Sequence, residues 1–217
     1  MRRRVLVVVV AAVLLLGAAA TAVSSDLFES PSEGQQFQYF GTAFDDTDPD
    51  QAESSDNDVA HFDTTSGLPV GLRRNVGELV RELDNQLGFR YFMANRSCGA
   101  GSPRVQLAVD TDGDGVANGN LHGHVRPPYT CAEDKWVYED LTDDELRWEV
   151  GVGLPGTRAF PHRTWTEIEA LLGNALVLTG ALIEDSQAFA ESNRGHAYYD
   201  LVSIGNRTFE DHNDTAR

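Results

Sequence analysis

A two-residue alternation of apolar and polar positions dominates the middle and end of the chain. Val105, Leu107 and Val109 fall on one face of a predicted strand, and Gln106, Ala108 and Asp110 on the other. Leu121 to Val125 reads as the return strand, stopped by Pro127-Pro128. Phe89 to Met93 predicts another strand, and Trp136 and Tyr138 share one side of the next. Ala175 to Ile183 and Ala197 to Ile204 continue the pattern, the latter turning at Gly205-Asn206 into residues 207–210. Phe37, Tyr39 and the run to Phe44 supply a first strand. Two stretches depart from this period. Val76, Leu79, Val80 and Leu83 recur at i, i+3, i+4 and i+7, which predicts a short amphipathic helix closed by Gly88. Thr164 and Glu167 have capping-box spacing ahead of Ile168, Leu171 and Leu172, with Gly173 as the stop. No internal repeat is present. Many strands with one or two short helices predict a mainly β, antiparallel β-sandwich.

Six segments carry a resemblance: GFRYFMAN, VQLAVDTDGDGVANGNLHGHV, KWVYEDL, RWEV, TWTEIEALLGNALVLTGALIED and AYYDLVSIGNRTFE. Together they resemble the concanavalin-like or jelly-roll β-sandwich modules of secreted microbial surface proteins, over about residues 36–210. The resemblance implies a jelly-roll-like sandwich, an extracellular setting and carbohydrate recognition. None of the six segments is a catalytic signature.

The start of the chain modifies the picture of where this domain works. Arg2-Arg3-Arg4 precedes nineteen uncharged residues from Val5 to Val23, with Ala20-Thr21-Ala22 offering an A-x-A-like cleavage site. Residues 1–25 therefore read as a signal peptide or, uncleaved, as an apolar helical anchor at ~1.5 Å rise per residue. The arginines stay on the cytoplasmic side in both cases, so the remainder is expected outside or on the cell surface. Residues 26–35 read as a linker, 36–210 as the β-sandwich domain and 211–217 as a polar tail. Membrane contact is expected only through the N-terminal segment.

Charge narrows the partners. The formal net charge is −17, and Lys135 is the only lysine. Such an acidic, lysine-poor chain resembles proteins adapted to high salt, where screening shrinks self-repulsion. Nucleic acid, itself an anion, is excluded as a partner. Asp45 to Asp58 is acidic and nearly free of aliphatic residues, which predicts a solvated loop or a disordered strip. The two cysteines, Cys98 and Cys131, predict a disulfide closing about thirty residues and contributing roughly 3 kcal/mol. Metal ligation by the pair is the alternative, although no C-x-x-C is present. Asn95, Asn206 and Asn213 head N-x-S/T sequons that fit glycosylation of an exported surface.

Candidate chemistry concentrates in residues 110–125. Asp110, Asp112 and Asp114 alternate before Gly115, and such carboxylates converge on a tight turn as calcium requires. Counting Asp110 as the first ligand, Val116 supplies a carbonyl and Asn118 a side-chain or water-mediated contact. Leu121 stands where an EF-hand carries its bidentate glutamate, and strands rather than helices flank the loop. Affinity on the order of 10⁻⁴ to 10⁻³ M is expected of loop ligands alone. A glycine-rich turn made acidic for high salt is the competing reading. His122 and His124 project from one face of their strand. They would hold zinc with a third ligand that the sequence does not identify, or else lie on a solvent-facing strand edge.

Other patterns carry less. Gly151-x-Gly153-x-x-Gly156 matches a dinucleotide fingerprint only as text, since Pro155 interrupts it and PGTRAFPH follows where a helix should begin. Trp136, Tyr138, Trp148 and Trp165 form either a platform for sugar rings or part of the core. There is no H-E-x-x-H and no G-x-S-x-G. A non-catalytic, calcium-stabilised module with carbohydrate or surface-glycan binding is thus the leading expectation. A structural cell-envelope protein without a small ligand is the alternative. A polysaccharide hydrolase ranks lower.

Overall fold

The alternation that predicts strands is realised with few exceptions. The computed structural model describes residues 37–50, 58–99, 102–125, 131–185 and 194–209. The predicted signal or anchor segment, the linker, the polar tail and the Asn213 sequon lie outside these residues. Among the described residues no helix is long and apolar enough to cross a membrane.

Thirteen strands form two antiparallel sheets among these residues. The first contains β1 (Gln38–Phe40), β4 (Val70–Leu79), β6 (Arg104–Asp110), β7 (Gly119–His124), β9 (Trp148–Val150), β10 (Arg158–Arg163) and β11 (Leu176–Glu184). Its spatial order is β1-β4-β11-β6-β7-β9-β10. The second contains β2 (Ala43–Thr47), β3 (Asp58–Asp63), β5 (Leu87–Ala94), β8 (Val137–Asp140) and β12 (His196–Ile204), in the order β2-β3-β12-β5-β8. The short β13 (Thr208–Phe209) pairs with β12. Inward residues of both sheets, including Leu107, Leu121 and Leu182 from the first and Phe62, Phe89 and Tyr199 from the second, share one apolar core. The architecture is β-sandwich-like.

One predicted helix forms. The α1 helix (Trp165–Leu172) is capped by Thr164, whose side chain accepts from the Glu167 N–H while Glu167 reaches back to the Thr164 N–H. Its apolar side buries Trp165, Ile168 and Leu172, and Trp165 packs on Trp148 with ring centroids 5.0 Å apart. The helix expected over Val76–Leu83 is a correction: β4 runs to Leu79, and only Val80–Glu82 winds into a single 3₁₀ turn. A bulge lies within the misread stretch. Between the Glu78↔Val177 and Asn75↔Thr179 pairs, β4 carries one residue more than β11, and Gly77 sits there with φ of 74°. Glu78 is the register partner of the core residue Val177, and Leu79 is not a core residue, so the inward row runs Val76, Glu78, Val80 at period two. The polar Glu78 within that row leaves only the helix-like spacing of its apolar members visible.

The predicted first strand is likewise two. β1 belongs to one sheet and β2 to the other, with Gly41 at the corner between them. Three strands have no counterpart in the periodicity reading: β3, at the end of the acidic stretch, β9, within RWEV, and β10, within PGTRAFPHR. A disulfide joins Cys98 to Cys131, with Cα atoms 5.0 Å apart.

Candidate functional site

The β6–β7 hairpin brings its three aspartates together. The Asp110, Asp112 and Asp114 carboxylates each offer an oxygen within 4.8 Å of the others. Asp110, at the end of β6, is buried, whereas Asp112 and Asp114 are exposed at the tip. Asp110 Oδ1 accepts from the Asp112 and Gly113 N–H groups, and Oδ2 from that of Gly115. These bonds hold the Asp110 carboxyl below the usual carboxylate range, the Gly115 bond contributing most. Gly113 and Gly115 adopt φ of 78° and 83°, the left-handed conformation that lets the chain turn toward Asp110. Asn118 closes the hairpin: its Oδ1 accepts from Thr111 N–H and Oγ1, and its amide nitrogen donates to Asp112 Oδ2 at 3.3 Å. Val116 is exposed, and its N–H donates to Asp114 Oδ1.

His122 and His124 do not lie on a strand edge. β7 sits between β6 and β9, and His124 is only 4% exposed. Leu121 and Val125 point into the core, so by alternation both histidines face the outer side of the seven-stranded sheet. Glu149 on β9 is opposite His122 in register, between the inward Trp148 and Val150. Glu149 Oε1 lies 3.3 Å from His124 Nε2 and 3.2 Å from His162 Nε2. Its Oε2 lies 3.7 Å from His122 Nδ1. The His124 and His162 rings stack at 5.3 Å, and Phe160 stacks on the far side of His162 at 4.7 Å. Bonds from His122 and His124 hold the Glu149 carboxyl far below the ordinary range, and burial lowers His162. The sequence offered His122 and His124 but neither of these partners.

A third constellation occupies the outer face of the six-stranded sheet. Ala60 and Phe62 on β3, Ala197 and Tyr199 on β12, and Tyr91 and Met93 on β5 are core residues. Alternation therefore turns His61, Tyr198 and Phe92 outward. Phe44, His61, Tyr198 and Phe92 are successive cross-strand partners over β2, β3, β12 and β5. Ring centroids along this row are 4.7, 4.4 and 6.2 Å apart, and Trp136 extends it from Phe92 at 5.7 Å. Polar groups border the row. His61 Nδ1 bonds Asp46 Oδ2 at 2.8 Å, and its Nε2 meets His196 Nδ1 at 2.9 Å. The Arg90 guanidinium lies 4.5 Å from the Trp136 ring centroid, and Trp136 Nε1 donates to Asp48 Oδ1 at 2.9 Å. Tyr138, 55% exposed, and Phe44, 47% exposed, leave rings open to solvent on this sheet.

The four aromatic candidates of the sequence thus divide. Trp148 and Trp165 are core residues, while Trp136 and Tyr138 belong to the second sheet's outer aspect. Residues 151–157 form the turn between β9 and β10, with no helix for a dinucleotide site. Of the sequons, Asn95 and Asn206 are exposed. Compared with known proteins, the chain matches no family model, no curated protein and no solved structure.

Proposed function

We propose that this protein is an exported, non-catalytic β-sandwich module that binds carbohydrate on the outer face of its six-stranded sheet. The row Phe44–His61–Tyr198–Phe92–Trp136 carries the reading. Phe44, Tyr198 and Trp136 keep ring surface that would meet the C–H side of a sugar, with the buried His61 and Phe92 packed between them. Bordering Asp46, Arg90 and His196 would offer partners to its hydroxyls. Exchange of the chain between sheets, as from β3 to β4, β5 to β6, β8 to β9 and β11 to β12, supports the jelly-roll-like reading. At the other end, calcium on Asp110, Asp112 and Asp114 would offset the repulsion among carboxylates at the hairpin tip, with Val116 and Asn118 as the further contacts of the proposed loop.

Tryptophan fluorescence tests the carbohydrate reading directly. Trp148 and Trp165 are buried in the core, so a sugar on the outer face is reported by Trp136. A polysaccharide panel at high salt is expected to include ligands that shift this emission. Calorimetry with those ligands is expected to show Tyr198→Ala and Trp136→Phe each weakening binding at least about tenfold. A panel without any binder, or binders indifferent to both substitutions, overturns the assignment.

A further inference from the structure

We propose that His124, Glu149 and His162 form a binding site for a divalent first-row transition metal, with His122 beside them as a further donor. This goes beyond the carbohydrate and calcium readings and rests on neither.

Three adjacent strands of the seven-stranded sheet contribute the donors: His124 from β7, Glu149 from β9 and His162 from β10. One nitrogen or oxygen from each lies within 4.8 Å of the others. Two donors held at ~2.1 Å from one zinc ion at a tetrahedral angle stand about 3.4 Å apart. The Glu149 oxygen lies 3.3 Å from His124 Nε2 and 3.2 Å from His162 Nε2, so both pairs already have that spacing. Both histidines are almost wholly buried, at 4% and 6% exposure, although they lie on the outer aspect of the sheet. Glu149 and His122 retain partial exposure, which leaves the cluster a route to solvent.

The chemistry of the donors selects the ion. Two imidazoles and a carboxylate make a mixed nitrogen and oxygen set, which suits zinc and its first-row neighbours. Calcium takes oxygen donors and fits the aspartate hairpin instead. The stacked His124 and His162 rings direct their Nε2 atoms to the same carboxylate oxygen, and Phe160 packs against the His162 ring from outside. His122 Nδ1, 3.7 Å from the other Glu149 oxygen, stands next to the three rather than among them. A water or a small anion could therefore complete four-coordination in its place.

The test uses the full chain stripped of metal by chelator. Zinc titration by calorimetry is expected to show one site at micromolar affinity or tighter. X-ray absorption at the zinc edge is expected to show imidazole scattering with a light-atom shell. His162→Ala and Glu149→Gln should each weaken zinc at least about tenfold, and Asp112→Asn should leave it unchanged. Zinc bound only at millimolar concentration, an all-oxygen shell, or an affinity indifferent to both variants overturns the site. If both variants lose the fold by circular dichroism, His196→Ala decides. That exposed residue belongs to the other sheet, so its loss preserves the imidazole signature if the site is correctly placed and removes it if zinc sits at the His61–His196 pair.

Discussion

Arg96 and Glu184 form an ion pair sealed from solvent, with side chains 1% and 0% exposed. The Tyr199 hydroxyl donates to the same carboxylate oxygen. Burial pushes the Glu184 carboxyl up and the Arg96 charge opposes it, burial being the larger influence. Removing one partner strands a charge in the core. Arg96→Met is therefore expected to cost about 3–5 kcal/mol in denaturant unfolding, whereas the double replacement Arg96→Met with Glu184→Leu should recover most of it. A double variant no more stable than Arg96→Met alone would count against charge stranding as the cause.

At the hairpin tip the backbone, not space, limits substitution. A Cβ at Gly113 or Gly115 would meet nothing within 4 Å, yet both residues hold left-handed φ. Alanine at either is expected to destabilise by about 1–2 kcal/mol, measured by thermal or urea unfolding. Asparagine, which tolerates this conformation better, should cost less.

Calcium removal probes the same turn by a different route. At constant high salt, the unfolding midpoint is expected to rise with millimolar calcium relative to chelator, and Asp112→Asn should abolish the difference. Identical midpoints for the wild-type protein with and without calcium would sink the calcium assignment.

His61 makes stability depend on pH. Burial lowers its proton affinity, Asp46 opposes that effect, His196 adds to it, and Asp63 opposes it; the facing Phe44 and Tyr198 rings carry no charge. Below the ordinary histidine value of about 6.5, the unfolded chain binds the proton more readily than the folded one. The contribution is thus complete above that pH and declines as pH falls through it toward the lowered folded value. His61→Gln should flatten the fall in melting temperature between about pH 7 and pH 5. His162 shifts in the same direction in both proteins, so the comparison isolates His61. Parallel curves would refute the assignment.

Local pattern made much of the sandwich legible. β6 and β7 follow from strict alternation, and α1 from its Thr164–Glu167 cap. β11 and β12 follow from apolar runs that stay recognisable despite register shifts at Val177–Thr179 and Asp200–Ser203. β4 was obscured because polar residues stand at its inward positions, so its apolar alternation is broken. These are the buried Arg74, which donates to the Ile204 carbonyl, and Glu78, opposite the core residue Val177. The aspartate hairpin was legible because its residues are neighbours in sequence. The histidine cluster was legible only in half. His162 arrives on β10, whose register with β9 shifts between Arg158 and Arg163, so no regular alternation marks it as a strand. Glu149 was one carboxylate in a chain rich in them, and only the β7–β9 register distinguishes it. The outer aromatic row was illegible for the same reason, since its members come from five separate segments.

The Cys98–Cys131 bond encircles the whole β6–β7 hairpin, including the aspartate tip and both His122 and His124. A peptide bond cut anywhere between the two cysteines consequently separates nothing. The halves remain one covalent molecule, held on either side of the nick by sheet partners β11 and β9. Proteolytic damage at the exposed tip would pass unseen in a gel run without reductant and appear as two fragments only once the bridge is reduced.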